Sequence, residues 1–145
     1  MSKKKVLVIS GPNLNLLGKR EKNIYGETSL IEIHLKMEDI GIKKNLIVEC
    51  KQSNSESAII DFIQNAFNKF DGIIINAGGY SHTSVSIRDA LKYFDGYIIE
   101  IHMSNIHARE EFRRISMISD VSDGIIVGFG ADSYYLALKA IKSKL

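Results

Sequence analysis

The chain has 145 residues, 45% of them hydrophobic, with 19 Lys and Arg against 17 Asp and Glu for a formal net charge of +2. That length and apolar content suit one globular domain over residues 1–145 with a substantial core, and the near-balanced, scattered charge does not suggest a nucleic-acid partner. No stretch is long enough to span a membrane, and the single cysteine, Cys50, excludes an intrachain disulfide and fits a reducing cytoplasm.

Ser2-Lys3-Lys4-Lys5 reads as a frayed basic end rather than a targeting signal, because the apolar run behind it is short and breaks at Gly11-Pro12. That run, 6–9, is the first strand, and Pro12 gives a rigid exit from it. A long loop follows. Gly18 and Gly26 bracket its polar part as hinges bracket a lid, and between them lie Arg20 and Tyr25. A phenol beside a fixed cation loses its proton more easily than a free one; a surface loop with an ordinary tyrosine fits the spacing equally well. A helix is predicted over 29–44. Ser29-x-x-Glu32 fits a capping box, Leu30, Ile33, Met37 and Ile40 form one stripe, and Asn45 can take the left-handed stop. Gly41 sits inside it at a cost. Ile31, Leu35 and Ile42 form a second apolar stripe, which points to another subunit. His34 reads as a surface residue.

Further short apolar runs recur at 46–50, 73–75, 97–101 and 125–127. Like 6–9 they are nearly continuous, as strands covered on both faces are. Ser53-Asn54-Ser55-Glu56 reads as a second capping box, ahead of Ile59, Ile60, Ile63, Ala66 and Phe67 at helical spacing. A third helix is predicted over 85–94 with Ile87, Ala90 and Leu91 inward. A short basic helix is expected around 110–115, and a last helix over 133–144 with Leu136, Leu138 and Ile141 as core. Strands alternating with helices imply right-handed crossovers and an α/β fold with a five-stranded parallel sheet.

In such sheets ligands bind beyond the carboxyl ends of the strands. There the chain places Asn13, then Gln52, Ser53 and Asn54, then Asn76 and His82, then Glu100, His102, Ser104 and Asn105, and finally Gly128 and Gly130. This chemistry suits a small, oxygen-rich molecule. Glu100 and His102 are two apart and share a strand face, where the carboxylate can orient the imidazole for general-acid work; a purely structural pair is equally consistent. Arg109 and Arg113, four apart, would share one face of the short helix and could hold a carboxylate, hold hydroxyls or position acidic catalytic groups, although their spacing alone favours a solvated or subunit surface. Metal chemistry fits poorly, since Glu100, His102 and His107 come without an HExxH motif, a cysteine cluster or an aspartate pair. Gly11-Pro12-Asn13-Leu14 lacks the lysine of a phosphate loop. A phosphoacceptor site would want carboxylates where the chain has asparagines.

The stretches GPNLNLLGKREKNIYG at 11–26, QSNSE at 52–56, NAGGYSHTSVSIRDAL at 76–91, EIHMSNIHAREEFRR at 100–114 and GFGADSYYLAL at 128–138 resemble, in order and spacing, those of the type II 3-dehydroquinate dehydratases. The similarity covers essentially the whole chain. The resemblance implies a flavodoxin-like three-layer α/β/α fold with strand order 2-1-3-4-5. It implies a lyase that converts 3-dehydroquinate to 3-dehydroshikimate through an enolate, in the shikimate pathway of aromatic amino acid biosynthesis. It also implies no metal or other cofactor, no nucleic-acid or membrane partner, a cytoplasmic location, and a homo-oligomer, a dodecamer built from trimers. By resemblance Tyr25 is the base that takes the proton beside the substrate ketone, and Arg20 the cation that lowers its pKa, with Lys19 as the other candidate. Asn13 stabilises the enolate through a water, His102 protonates the departing hydroxyl, and Glu100 orients His102. Asn76, Met103 and Ser104 bind the substrate carboxylate, His82 and Arg113 the ring hydroxyls. Arg109 is a nearby organising charge, and Asp89 approaches a neighbouring subunit's site. Two other readings stand beside this one: a metal-dependent hydrolase using Glu100 and the histidines, and a non-catalytic ligand-binding module on the same fold.

Overall fold

The computed structural model describes residues 2–19, 22–25 and 27–145, and of Lys22 and Tyr25 the backbone alone. Strands β1 (Lys4–Ser10), β2 (Leu46–Gln52), β3 (Gly72–Asn76), β4 (Tyr97–His102) and β5 (Gly124–Val127) form one parallel sheet in the order β2-β1-β3-β4-β5. Helices α1 (Lys22–Tyr25), α2 (Leu30–Lys43), α3 (Glu56–Ala66), α4 (Val85–Tyr93) and α5 (Asp132–Lys142) connect or follow them. The fold is flavodoxin-like, with the expected strand order.

Burial explains why the strands read as continuous apolar runs. Alternate residues of each strand point to opposite faces, and here both faces are covered. Val6, Val8, Ile74, Ile99 and Ile101 pack with Ile33 and Met37 of α2 and Ala137, Leu138 and Ile141 of α5. Leu7, Ile9, Ile73, Ile75 and Ile98 pack with Ile59 and Ile63 of α3 and Ile87 and Leu91 of α4. Each fully buried aliphatic side chain of this kind contributes about 1.5–3 kcal/mol.

Helix ends follow short-range chemistry. Ser29 accepts the Glu32 N–H and donates to the Glu32 carboxylate, both at 3.2 Å, and Asn45 stops α2 at φ 61. Gly41 answers a close approach. A Cβ there would lie 2.5 Å from Val48 Cγ2, so its absence lets α2 settle on β2.

Four local expectations are corrected. Ser55, not Ser53, caps α3, accepting the Ala58 N–H at 3.3 Å, while Glu56 is drawn away to accept from Ser84 Oγ. The basic stretch forms two 3-10 turns, Ile106–Ala108 and Glu111–Arg114, because its apolar residues Phe112 and Ile115 stay exposed and give a longer helix no face to bury. Leu136 is exposed on α5, whereas Leu138 and Ile141 are core. His34 is half-buried rather than a surface residue, its Nε2 3.5 Å from Ser10 Oγ. No described helix is long and apolar enough to cross a membrane.

Candidate active site

The chain leaves β1 toward β2 on one side and returns as β3 on the other, so the carboxyl ends of β1 and β3 flank a switch point. Ser10 faces Asn76 there, and the Gly11 N–H donates to the Asn76 carbonyl at 2.8 Å. Gly11 admits this approach, since a Cβ would meet the Ala77 carbonyl oxygen at 2.5 Å. Asn13 then adopts the left-handed conformation at φ 69, with its N–H donating to Asn54 Oδ1 at 3.0 Å. Gln52 ties the same Asn54 oxygen to the Gly11 carbonyl, with both bonds at 3.1 Å. The exit of β2 thus shapes the exit of β1.

Beyond these ends lies a cavity of about 160 Å³ lined by Asn13, Asn76, His82, His102, Met103, Ser104, Arg109 and Arg113, with Pro12, Leu14, Gly78, Gly79 and Ile106. Two guanidinium groups and no carboxylate stand among the described lining residues, which suits an anionic ligand. Of the expected site residues, eight line this cavity. Glu100 stands behind His102. Asp89 lies in a separate hollow with Ile60, Gln64 and Tyr93 and is not brought to the cavity of its own chain. Arg20, Gly26 and the Tyr25 side chain lie outside the described residues.

The firmest pair is His102 and Glu100. Their side chains share the face opposite Ile99 and Ile101, and His102 Nε2 meets Glu100 Oε2 at 2.6 Å. Glu100 is fully buried. Burial pushes its carboxyl up, but hydrogen bonds and the charge of His102, with donors from Ser116 and Ser119, together hold it below its ordinary value. His102 Nδ1 has no hydrogen-bond partner among the described residues. His82 stacks near it, ring centroids 6.1 Å apart, and its Nδ1–H donates to the Ile115 carbonyl at 2.8 Å. Burial lowers the His82 pKa despite that bond, so the ring is neutral at physiological pH and presents Nε2 as an acceptor.

Arg109 and Arg113 do not share a helix face, correcting the expectation. Arg109 sits between the two 3-10 turns and donates to Ser104 Oγ at 3.2 Å. Arg113 Nε donates to Glu110 Oε2 at 2.8 Å, and the other Glu110 oxygen lies 3.7 Å from Arg109 Nε. Glu110 therefore holds both cations.

Sequence reasoning passed over Glu110, Ser116, Ser119 and Tyr134. Tyr134 is fully buried in α5. Its hydroxyl pairs with Ser10 Oγ at 2.8 Å and accepts from Asn76 Nδ2 at 3.4 Å, and burial pushes the phenol up to about 12. A tyrosine on an apolar helical stripe must find a partner for its hydroxyl, and that was the available signal. A buried carboxylate likewise demands donors, but nothing local marks Ser116 and Ser119 as those donors.

Among the described residues no three His, Cys, Asp or Glu side chains are grouped to hold a metal ion. The model of the dehydroquinase class II family matches residues 4–142. A 3-dehydroquinate dehydratase from a Nitratiruptor species is 51% identical, with 94% of this chain and 88% of the relative covered. A catabolic 3-dehydroquinase from Penicillium rubens is 50% identical over 95% of this chain and 89% of its own. The crystal structure of a type II dehydroquinase from Butyrivibrio crossotus superposes with a TM-score of 0.95 at 48% identity, covering 97% of this chain and 99% of the other.

Proposed function

The chain belongs to the dehydroquinase class II family, and from that premise we propose that residues 1–145 form one catalytic domain that dehydrates 3-dehydroquinate to 3-dehydroshikimate by a tyrosine base and a histidine acid. The observation that carries this reading is the 2.6 Å contact between His102 and a buried Glu100 on the wall of a cavity rich in cations and amides.

Elimination of water from a β-hydroxy ketone needs a base, an enolate stabiliser and an acid. Tyr25, activated by Arg20, takes the proton from the carbon beside the ketone, and the C–H electron pair moves into the enolate. Asn13 steadies the enolate oxygen through a water. Collapse of the enolate expels the hydroxyl, which leaves as water with a proton from His102. Since His102 Nε2 faces Glu100, Nδ1 is the nitrogen that delivers it. Asn76 and the Met103-Ser104 turn receive the substrate carboxylate. Neutral His82 accepts from a ring hydroxyl, and Arg113, steadied by Glu110, holds another. Arg109 organises Ser104, to which it donates.

The assembly reading rests on α2 and α4. Ile31, Leu35 and Ile42 are 72%, 62% and 69% exposed, a stripe we assign to contact with other copies in a dodecamer built from trimers. Asp89, remote from its own cavity, is assigned to a neighbour's. The enzyme is placed in the cytoplasm and in the shikimate pathway; complementation of a strain lacking its own dehydratase tests the latter.

Ultraviolet absorbance of the conjugated enone product reports turnover directly. Activity that survives exhaustive chelation excludes the metal-dependent hydrolase, and turnover itself excludes the binding module. Tyr25→Phe is expected to abolish nearly all turnover with the fold intact, and Arg20→Ala to move the acidic limb of the kcat profile, where the base must lose its proton, to higher pH, with Lys19→Ala doing much less. Near-wild-type turnover by Tyr25→Phe would show that the base is wrongly assigned.

A further inference from the structure

We propose that residues 115–119 form a strap that positions both site histidines, with Ser116 and Ser119 as the positioning residues that aim Glu100 at His102. The inference rests on the reading of His102 as the acid.

A carboxylate can rotate about its last side-chain bond, and Glu100 is denied that freedom. Oε2 receives His102 Nε2 and the Ser116 hydroxyl, each at 2.6 Å, and Oε1 receives the Ser119 hydroxyl. With both oxygens engaged, Oε2 stays directed at the imidazole. The same strap fixes the second ring, because the Ile115 carbonyl accepts the His82 Nδ1–H and so sets its tautomer. Two rings stacked at 6.1 Å thus take their orientation from one five-residue segment.

The strap is anchored along its length. Ile118 is fully buried in the core on the α3 and α4 face. The Met117 N–H donates to the Ser81 carbonyl at 2.6 Å, and the Met117 carbonyl accepts from Arg88 Nη1 at 3.0 Å. Arg88 also pairs with Asp120 just beyond. Ser116 Oγ in turn accepts the Ile118 N–H at 3.3 Å. The serines are therefore preorganised donors, which keep a buried carboxylate ionised beside an imidazole that must gain and lose a proton.

Among the described residues the titratable and charged groups near Glu100 are few. His102 shares β4, His82 follows β3 with Arg113 close to it, and Arg88 and Asp120 flank the strap. β3 and β5 set Ile75 and Ile125 beside Glu100.

The test uses Ser116→Ala, Ser119→Ala and the double variant, with Ser119→Thr to keep the hydroxyl and Ser119→Cys as a weak donor of similar size should the Ala variants unfold. Readouts are KM, the kcat–pH profile, and imidazole nitrogen shifts of the free enzyme by NMR. Each Ala change is expected to lower kcat about tenfold, with KM within about twofold, and to bring a second, lower-pH limb, separate from that of the Tyr25 base, up by about one pH unit as Glu100 becomes easier to protonate. Thr restores both values, and Cys falls between. An unmoved limb in all variants, or a loss confined to KM, overturns the inference. His102→Asn separates the two readings: retained turnover there defeats the assignment of the acid, whereas an inactive His102→Asn with unshifted serine variants defeats the strap alone.

Discussion

Removing one oxygen from the core, by Tyr134→Phe, perturbs stability and ligand binding through the same two bonds. The ring stays, so packing against the α2 and α5 side of the sheet is kept. The hydroxyl is lost, and with it the 2.8 Å bond to Ser10 Oγ and the 3.4 Å bond from Asn76 Nδ2. Ser10 is fully buried and Asn76 4% exposed. Among the described residues Ser10 Oγ keeps only a 3.5 Å contact to His34, and the Asn76 amide nitrogen loses its acceptor while Oδ1 still accepts from the Gly78 N–H at 3.2 Å. A buried polar group stripped of its partner costs about 1–3 kcal/mol; the longer Asn76 bond belongs at the low end, so the sum is about 2–4 kcal/mol. For a chain of this size that lowers Tm by about 4–16 °C. Asn76 lines the cavity, and a loosened amide weakens binding, so KM is expected to rise about three- to tenfold while kcat falls less. The phenol, pushed up to about 12, stays protonated in the fold. Its unfolded counterpart ionises near 10, so wild-type stability falls as pH rises above that value and Tyr134→Phe removes this part of the slope. Calorimetric melts at pH 7 and pH 10.5, with initial rates at pH 7, measure all three. A Tm within 1 °C of wild type at pH 7 (roughly 0.3 kcal/mol), together with an unchanged KM, refutes the reasoning.

Glu100→Gln keeps the shape but sets an amide N–H₂ against one of three donors; kcat is expected to fall about 10- to 100-fold with little change in KM, because Glu100 does not line the cavity. Its folded pKa lies below the ordinary 4.5, so its stabilisation is present above that pH and lost as pH falls through the lower folded value; acid titrations of the Gln variant should lack this loss. Gly41→Ala gains helix propensity but drives a methyl into Val48, and thermal melts should show a net loss of about 1–2 kcal/mol. Leu35→Glu, on the exposed stripe of α2, is expected to yield smaller species in sedimentation; a stable, fully active wild-type monomer at assay concentration would remove the assembly reading.

What could be read from the sequence divides by range. Strands β1 and β3 were legible because short, continuous, largely β-branched apolar runs bounded by turn residues fit strands covered on both sides. The two-residue period of a strand set Glu100 and His102 on one strand face. Ser29 was a readable cap because its partner is three residues away. The errors begin where a distant contact outbids a local one. Glu56 completes a capping-box pattern with Ser53, yet Ser84, 28 residues on, takes its carboxylate, and the cap passes to Ser55. Arg109 and Arg113 have helical spacing, yet no buried face accompanies them, and the backbone settles into 3-10 turns around Glu110. Tyr134 reaches Asn76 across 58 residues and Ser10 across 124; no spacing rule reaches that far. The groups proposed to touch the substrate sit at strand ends, where periodicity reveals them. The groups that hold those in place come from a strap and a terminal helix whose serines and tyrosine resemble any others in the chain, and only the packing of the two halves of the sheet gives them their partners.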